Sequence, residues 1–184
     1  MNLTRILTGG LLIISCVLQA QSYSVAEGST MQILGTSNLH DWGTEVTEIN
    51  GTAQFETQDD GTLEINSAQL TIPVLSIKSD KGKKMDKLTY EALETEKFET
   101  ISFELTSADV ATKDGATVAT VSGNLTVHGV LQSITFDAVA GENNTWSGSV
   151  PLKMTDFGMD PPKALLGALK TGDDIQIEFN LIFK

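Results

Sequence analysis

The last stretch of the chain constrains the fold more than any other. From Ile175 to Phe183 apolar and polar residues alternate, with Ile175, Ile177, Phe179, Leu181 and Phe183 on one parity. A period of two is a strand with one buried and one wet face; a helix cannot keep such a set together. The same pattern recurs upstream. Ile101, Phe103 and Leu105 alternate, as do Ala119, Val121, Leu125 and Val127 around Gly123. So do Ile134, Phe136, Ala138 and Ala140, and then Trp146, Val150, Leu152 and Met154. Turn residues separate the runs: Asp59-Asp60-Gly61, Asp114-Gly115, His128-Gly129, Gly141-Glu142-Asn143-Asn144 and Thr171-Gly172-Asp173. Regular strands with such punctuation predict a mainly all-β, antiparallel barrel or sandwich.

Three places break the pattern. Pro73 lacks an N–H for a ladder, so Ile72-Pro73-Val74 should lie at a bulge or an edge. Lys81 to Glu94 has a helical period: Met85, Leu88 and Ala92 share one face, and Lys83, Lys84, Asp86, Lys87, Glu91 and Glu94 fall mostly opposite. A second, short helical turn is expected over 162–169, with Pro162 near its start.

The 184 residues suffice for one domain with a core, and no linker or internal repeat divides them. A single Cys excludes an intramolecular disulfide, so stability must come from packing. The net charge of −12 would repel a phosphate backbone, which argues against a nucleic-acid partner, and for the same reason it disfavours an anionic membrane surface. Residues 1–20 read as an export signal: Arg5, then an apolar run through Leu11, Leu12, Ile13, Ile14, Val17 and Leu18, then Ala20 as the cleavage residue. The run is too short to span a bilayer, and no later stretch is apolar enough to do so. The expected domain then spans 21–184, in the periplasm or secreted. An alternative is lipid anchoring through Cys16, because Ile13-Ile14-Ser15-Cys16 resembles a lipoprotein cleavage box. Val17 and Leu18, which continue the apolar run past the Cys, speak against it.

Four motifs occur in a telling order. Gly35-Thr36-Ser37-Asn38-Leu39-His40-Asp41-Trp42 ends the first long strand, and Lys97-Phe98-Glu99-Thr100-Ile101-Ser102-Phe103 leads from the helix into a strand. Gly123-Asn124-Leu125-Thr126-Val127-His128-Gly129-Val130 follows. Then come Thr155-Asp156-Phe157-Gly158-Met159-Asp160-Pro161-Pro162, Leu166 to Asp174 and the final strand. Together they resemble the YceI-like lipid/polyisoprenoid-binding family, from about Tyr23 to Lys184. The resemblance implies a lipocalin-like barrel of about eight strands in the bacterial envelope, one helix against it, and often a homodimer. It implies no catalysis and no cofactor. The partner would be a long-chain lipid, polyisoprenoid or fatty acyl. At the helix, Lys84-Met85-Asp86 and Leu88-Thr89-Tyr90 depart from the Arg-Asp and His-Leu pattern common in the family.

A small barrel either fills its interior or encloses one ligand. The inward parity mixes Phe103, Phe136 and Phe179 with Ala119, Gly123, Ala138 and Gly148. The small residues leave room or relieve crowding in a taper; the resemblance favours room. The cavity wall expected on that basis comprises Phe103, Leu105, Val121, Gly123, Leu125, Phe136, Ala138, Trp146, Val150, Ile177, Phe179 and Leu181. Met85 and Leu88 of the helix would form a pliable apolar cover. Lys81 and Lys84, in the densest basic stretch of an acidic chain, would hold an anionic head group. The alternatives are a filled core serving as an interaction module, and an enzyme built on His40 and Asp41. The enzyme lacks a recognisable nucleophile elbow, phosphate loop or His-Glu-x-x-His pair. No metal site is expected, since two His and no mature Cys leave only carboxylates to complete one.

Overall fold

The structure is a computed structural model that describes residues 21–59, 61–164 and 168–184; the export signal and Cys16 lie outside them. Among the described residues the strands are β1 (Gln21–Ser24), β2 (Thr30–Ser37), β3 (Trp42–Val46), β4 (Asn50–Thr57), β5 (Leu63–Pro73) and β6 (Ile77–Ser79). Helix α1 (Lys83–Ala92) follows. The second half holds β7 (Thr100–Lys113), β8 (Ala116–Val127), β9 (Val130–Ala140), β10 (Thr145–Lys153), β11 (Lys163–Ala164) and β12 (Leu169–Ile182). Every pairing is antiparallel, in the order β1-β4-β5-β7-β8-β9-β10-β12-β2-β3-β6, with β11 beside β12.

The expected count of about eight strands becomes twelve, and the pairing shows why. β1 and β2 run in one direction, separated by residues 25–29; β1 pairs with β4 and β2 with β3 and β12. β3 and β4 are likewise one long run broken at residues 47–49, and β5 and β6 one run broken at residues 74–76. Eight long runs therefore follow one another up and down, and the last pairs with the first, so the sheet curls round on itself. The breaks face one another. Ser76 Oγ donates to the Glu48 carbonyl at 3.2 Å, and the Thr47 N–H donates to the Ser76 carbonyl at 2.9 Å. Pro73 ends β5 against Thr100, beyond the last β4 pair at Asn50–Thr71. It stands where the chain leaves one partner for another, and a missing N–H costs no ladder bond there.

Two of the tight turns form as their residues predict. Asp114-Gly115 joins β7 to β8 and His128-Gly129 joins β8 to β9, with φ of 52° and 82°, and 53° and 74°. Two positive φ values in a two-residue loop match the right-handed twist of the flanking strands. Two expectations fail. Thr171-Gly172-Asp173 is no turn but an irregularity inside β12, where the register against β2 shifts between Thr171 and Ile175. At both ends of the short helix expected over 162–169 the chain is strand instead, for Lys163 and Ala164 pair with Lys170 and Leu169; residues 165–167 lie outside the described residues. Ladder bonds to β12 outweigh the weak local helical preference of a few residues. One helical turn that the alternation concealed, a 3₁₀ turn, runs from Met154 to Phe157 and closes on Gly158, whose φ is 69°.

Candidate functional site

The barrel encloses an elongated cavity of about 350 Å³. Its axis follows β12. Ile175, Ile177, Phe179 and Leu181 all line it, a span of about 20 Å at the rise of an extended strand. The rings of Phe103, Phe136 and Phe179 stand in series along one side, 5.9 and 5.7 Å apart. One end is plugged by aromatic packing: Phe55 lies 5.5 Å from Tyr23, 6.0 Å from Trp146 and 5.4 Å from Phe183, centroid to centroid. At the opposite end the lining turns polar, with Ser37, His40, Ser79, Lys81, Lys163 and Thr171. This end is the mouth. The 37–41 turn, the start of α1 and the β11–β12 hairpin meet there: Asn38 Nδ2 donates to the Ala168 carbonyl, and the Lys170 N–H donates to Asn38 Oδ1, both at 2.9 Å.

Most of the residues expected on the wall are on it. Phe103, Leu105, Val121, Leu125, Phe136 and Ala138 line the cavity, as do Trp146, Val150, Ile177, Phe179 and Leu181. Met85 and Leu88 close it from α1, and Lys81 reaches its rim. Gly123 does not line it. A Cβ there would lie 2.3 Å from Phe103 Cζ, so the room left by the missing side chain is taken by a ring. Gly148 sits under Phe179 in the same way, at 2.7 Å. Lys84 is exposed on the outer face of α1 and away from the cavity.

Sequence reasoning missed the first half of the barrel. Met31, Ile33, Phe55, Ile65, Leu70 and Ile72 also line the cavity. The signal was present but scrambled. Gln54 pairs with Ser67 and Phe55 with Ile65, which leaves Asn66 as an extra residue in β5. One inserted residue flips the parity: Leu63 and Ile65 face inward on odd numbers, and Ala68, Leu70 and Ile72 on even ones. β7 carries the same fault at Thr106, between the pairs Leu105–Gly123 and Ser107–Ser122.

Thr44 is the most unusual wall residue. It is 6% exposed, lines the cavity near the mouth, and its Oγ1 has no hydrogen-bond partner in the protein. A buried hydroxyl in that state costs about 1–3 kcal/mol. The neighbouring Ser79 Oγ is engaged, accepting from the Lys81 N–H at 3.1 Å.

The lysines before and within α1 divide by partner. Lys78 donates to Tyr90 Oη at 2.5 Å, with its ammonium 5.1 Å from the ring centroid. That hydrogen bond holds the ammonium above its usual pKa. Lys81 pairs with Asp80 at 2.9 Å and Lys87 with Glu91 at 3.5 Å, both at the surface. The side chains of His40 and Asp41 form no dyad: His40 Nδ1 is 2.8 Å from the main-chain oxygen of Asp41. His128 packs edge-on to Phe98, at 4.8 Å between centroids. Its Nδ1 faces the Phe157 carbonyl at 3.3 Å, and its Nε2 lies 3.7 Å from Glu94 Oε1. Among the described residues no group of three or more His, Cys, Asp or Glu could hold a metal ion.

An up-and-down barrel plugged at one end and open at the other, around an apolar cavity, is the architecture of lipocalin-like proteins. The chain belongs to the YceI-like domain family, whose sequence pattern matches residues 21–183. No curated protein matches it in sequence. Among solved structures it is similar to a polyisoprenoid binding domain from Saccharophagus degradans, with a TM-score of 0.67 and 14% identity over 90% of this chain and 99% of that one. It is similar also to BcnA of Burkholderia cenocepacia, with a TM-score of 0.65 and 20% identity over 83% and 94%. The YCEI protein of Campylobacter jejuni follows, with a TM-score of 0.57 and 17% identity over 77% and 82%. At such identities the likeness is one of fold.

Proposed function

We propose that the barrel binds one long apolar molecule, of polyisoprenoid or fatty acyl type, non-covalently and lengthwise in its cavity. The observation that carries this reading is the cavity itself: long, narrow, closed at one end, and walled by apolar side chains from Phe183 to Met85. A filled-core interaction module would have no such space. The polyisoprenoid binding domain of Saccharophagus degradans, with the same fold, supports the ligand class. Burial drives the binding. Each methylene transferred from water contributes about 0.8 kcal/mol, so a chain of many units outweighs the loss of its own freedom. No step of this function needs a catalytic group. Met85 and Leu88 supply a cover that can reshape around different chains. The mouth leaves Thr44 Oγ1 and Lys81 for the more polar end of the ligand. Export through residues 1–20, into the periplasm or to an anchor at Cys16, belongs to the same proposal, and the mass of the mature N-terminus decides between them.

The test is native mass spectrometry of the mature protein from its own host, followed by organic extraction. The expected result is a stoichiometric long-chain compound, and the same spectrum reads out a homodimer. A clean apo mass, with no uptake of added prenyl or acyl lipids, overturns the reading. Ile177→Trp, which would fill the middle of the cavity, should lose the ligand while keeping the β spectrum of the wild type.

A further inference from the structure

We infer that Thr44 selects the ligand: its hydroxyl takes an uncharged oxygen group, an alcohol, ketone or ester, carried on the apolar chain one step inside the mouth. The inference rests on the lipid reading above and narrows its ligand class. Strand register fixes the depth of Thr44. It pairs with Ile33 of β2, which pairs with Ile177 of β12, and on its other side it pairs with Ser79 of β6. These four residues form one row across the wall, and all of them line the cavity. Val150 of β10 extends the row beyond Ile177. Toward the mouth the next row holds Trp42, Gly35 and Ile175. Toward the plug come Val46 beside Ile77 and Phe179 beside Met31. From Ile177 to Leu181 the wall runs about 13 Å further, so most of the cavity lies beneath the hydroxyl, as room for a chain.

Thr44 is buried, and its Oγ1 has no hydrogen-bond partner among the described residues. The serines near the mouth are engaged. Ser79 Oγ accepts from the Lys81 N–H at 3.1 Å, and Ser37 Oγ donates to the His40 carbonyl at 2.7 Å. Trp42 stands one step nearer the mouth on the same face of β3. Its Nε1–H donates to the Thr36 carbonyl at 2.9 Å, and its ring lies against Gly35, where a Cβ would come within 2.3 Å of Cζ2. The indole is thereby fixed as a partial roof over the row. A ligand oxygen at Thr44 removes the cost of the unpartnered hydroxyl, and a bare hydrocarbon does not. The surroundings decide the charge of that oxygen. Ile33, Ile177, Val46 and Trp42 flank the site, and the row contains no cation. The lysines that line the cavity, Lys81 and Lys163, are at the mouth. Lys81 pairs there with Asp80 at 2.9 Å. A carboxylate or phosphate drawn down to Thr44 would give up its hydration for one hydroxyl and no counter-charge. An uncharged oxygen has less hydration to lose and gains the same hydrogen bond.

Four probes of one chain length test this on the delipidated mature protein: hexadecane, hexadecanol, methyl hexadecanoate and, at about pH 8, the ionised hexadecanoate. Affinities are read by displacement of a fluorescent apolar dye. The alcohol and the ester should bind about tenfold more tightly than the alkane and than the ionised acid. Thr44→Val keeps the shape of the side chain and should bring alcohol, ester and alkane to within about twofold of one another. Thr44→Ser keeps the hydroxyl and should retain the preference. The infrared carbonyl band of the bound ester should lie lower in the wild type and in Thr44→Ser than in Thr44→Val, since only a donated hydrogen bond shifts it so. A preference that survives Thr44→Val, an ionised acid bound best, or four equal affinities in the wild type would each overturn the inference and leave the lipid reading standing. Binding of none of the four would overturn both.

Discussion

Glycines under aromatic rings set the tolerance of this barrel at the scale of single residues. Gly123 has the Phe103 ring on one side and the Glu104 carbonyl 2.7 Å from where a Cβ would stand. The carbonyl cannot swing aside as a side-chain tip can. Gly123→Ala should destabilise the protein by about 1–3 kcal/mol, seen as a lower urea midpoint at unchanged slope. Thr44 is the opposite case. Thr44→Val removes the unpartnered hydroxyl and keeps the shape, so the ligand-free protein should gain about 1 kcal/mol in the same measurement. If the ligand places a polar atom at Thr44, that variant should also bind it more weakly.

Asp173 governs a longer piece of chain, and the prediction it carries belongs at the scale of the element. Its carboxylate accepts from Thr155 Oγ1 at 2.7 Å and from the Thr155 N–H at 2.9 Å, tying the 3₁₀ turn to β12. The hydroxyl hydrogen bond, then the backbone one, hold its pKa below the usual 3.8. A depressed pKa stabilises the folded state above the unfolded value, and the contribution is lost as pH falls through the folded one. Asp173→Asn should therefore flatten the acid limb of the stability curve below about pH 4 and leave the neutral region little changed in shape. Helix α1 is packed loosely. None of its residues is fully buried, and its N-cap, Gly82, makes no side-chain capping bond. Hydrogen exchange should be faster throughout α1 than in β7 and β8, which pair along nearly their whole length. Equal protection would mean that the cover does not open.

For the whole molecule, the barrel forgoes packing that a filled core would gain. A ligand of the proposed kind would restore it. Saturation at a hundred times Kd adds about 2.7 kcal/mol, and a domain of this size gains about 2–4 °C per kcal/mol. Delipidation should therefore lower Tm by about 5–10 °C, recovered when the extracted compound is returned. An unchanged Tm would mean that nothing had occupied the interior.

Alternation from Ile101 onward made the second half of the barrel legible in the sequence, with its β7–β8 and β8–β9 turns and most of its inward residues. Period two is a local property, and Asp-Gly or His-Gly at positive φ needs no distant partner. The helix could be read for the same reason, although its ends at Lys83 and Ala92 fall inside the expected span. The first half depended on tertiary structure. The extra residues Asn66 and Thr106 shift parity, and only the neighbouring strand reveals which residue is extra. Residues 163–164 took strand form because the start of β12, at 169–170, offered ladder bonds that no local preference could foretell. Whether a small inward residue left space was likewise undecided until Phe103 was seen to cover Gly123. The sequence by itself determined an antiparallel β-protein with one amphipathic helix, because periodicity is written in each strand. Only the tertiary structure decided the closed ring of strands, the cavity and its polar mouth, because each is made by residues that meet across it.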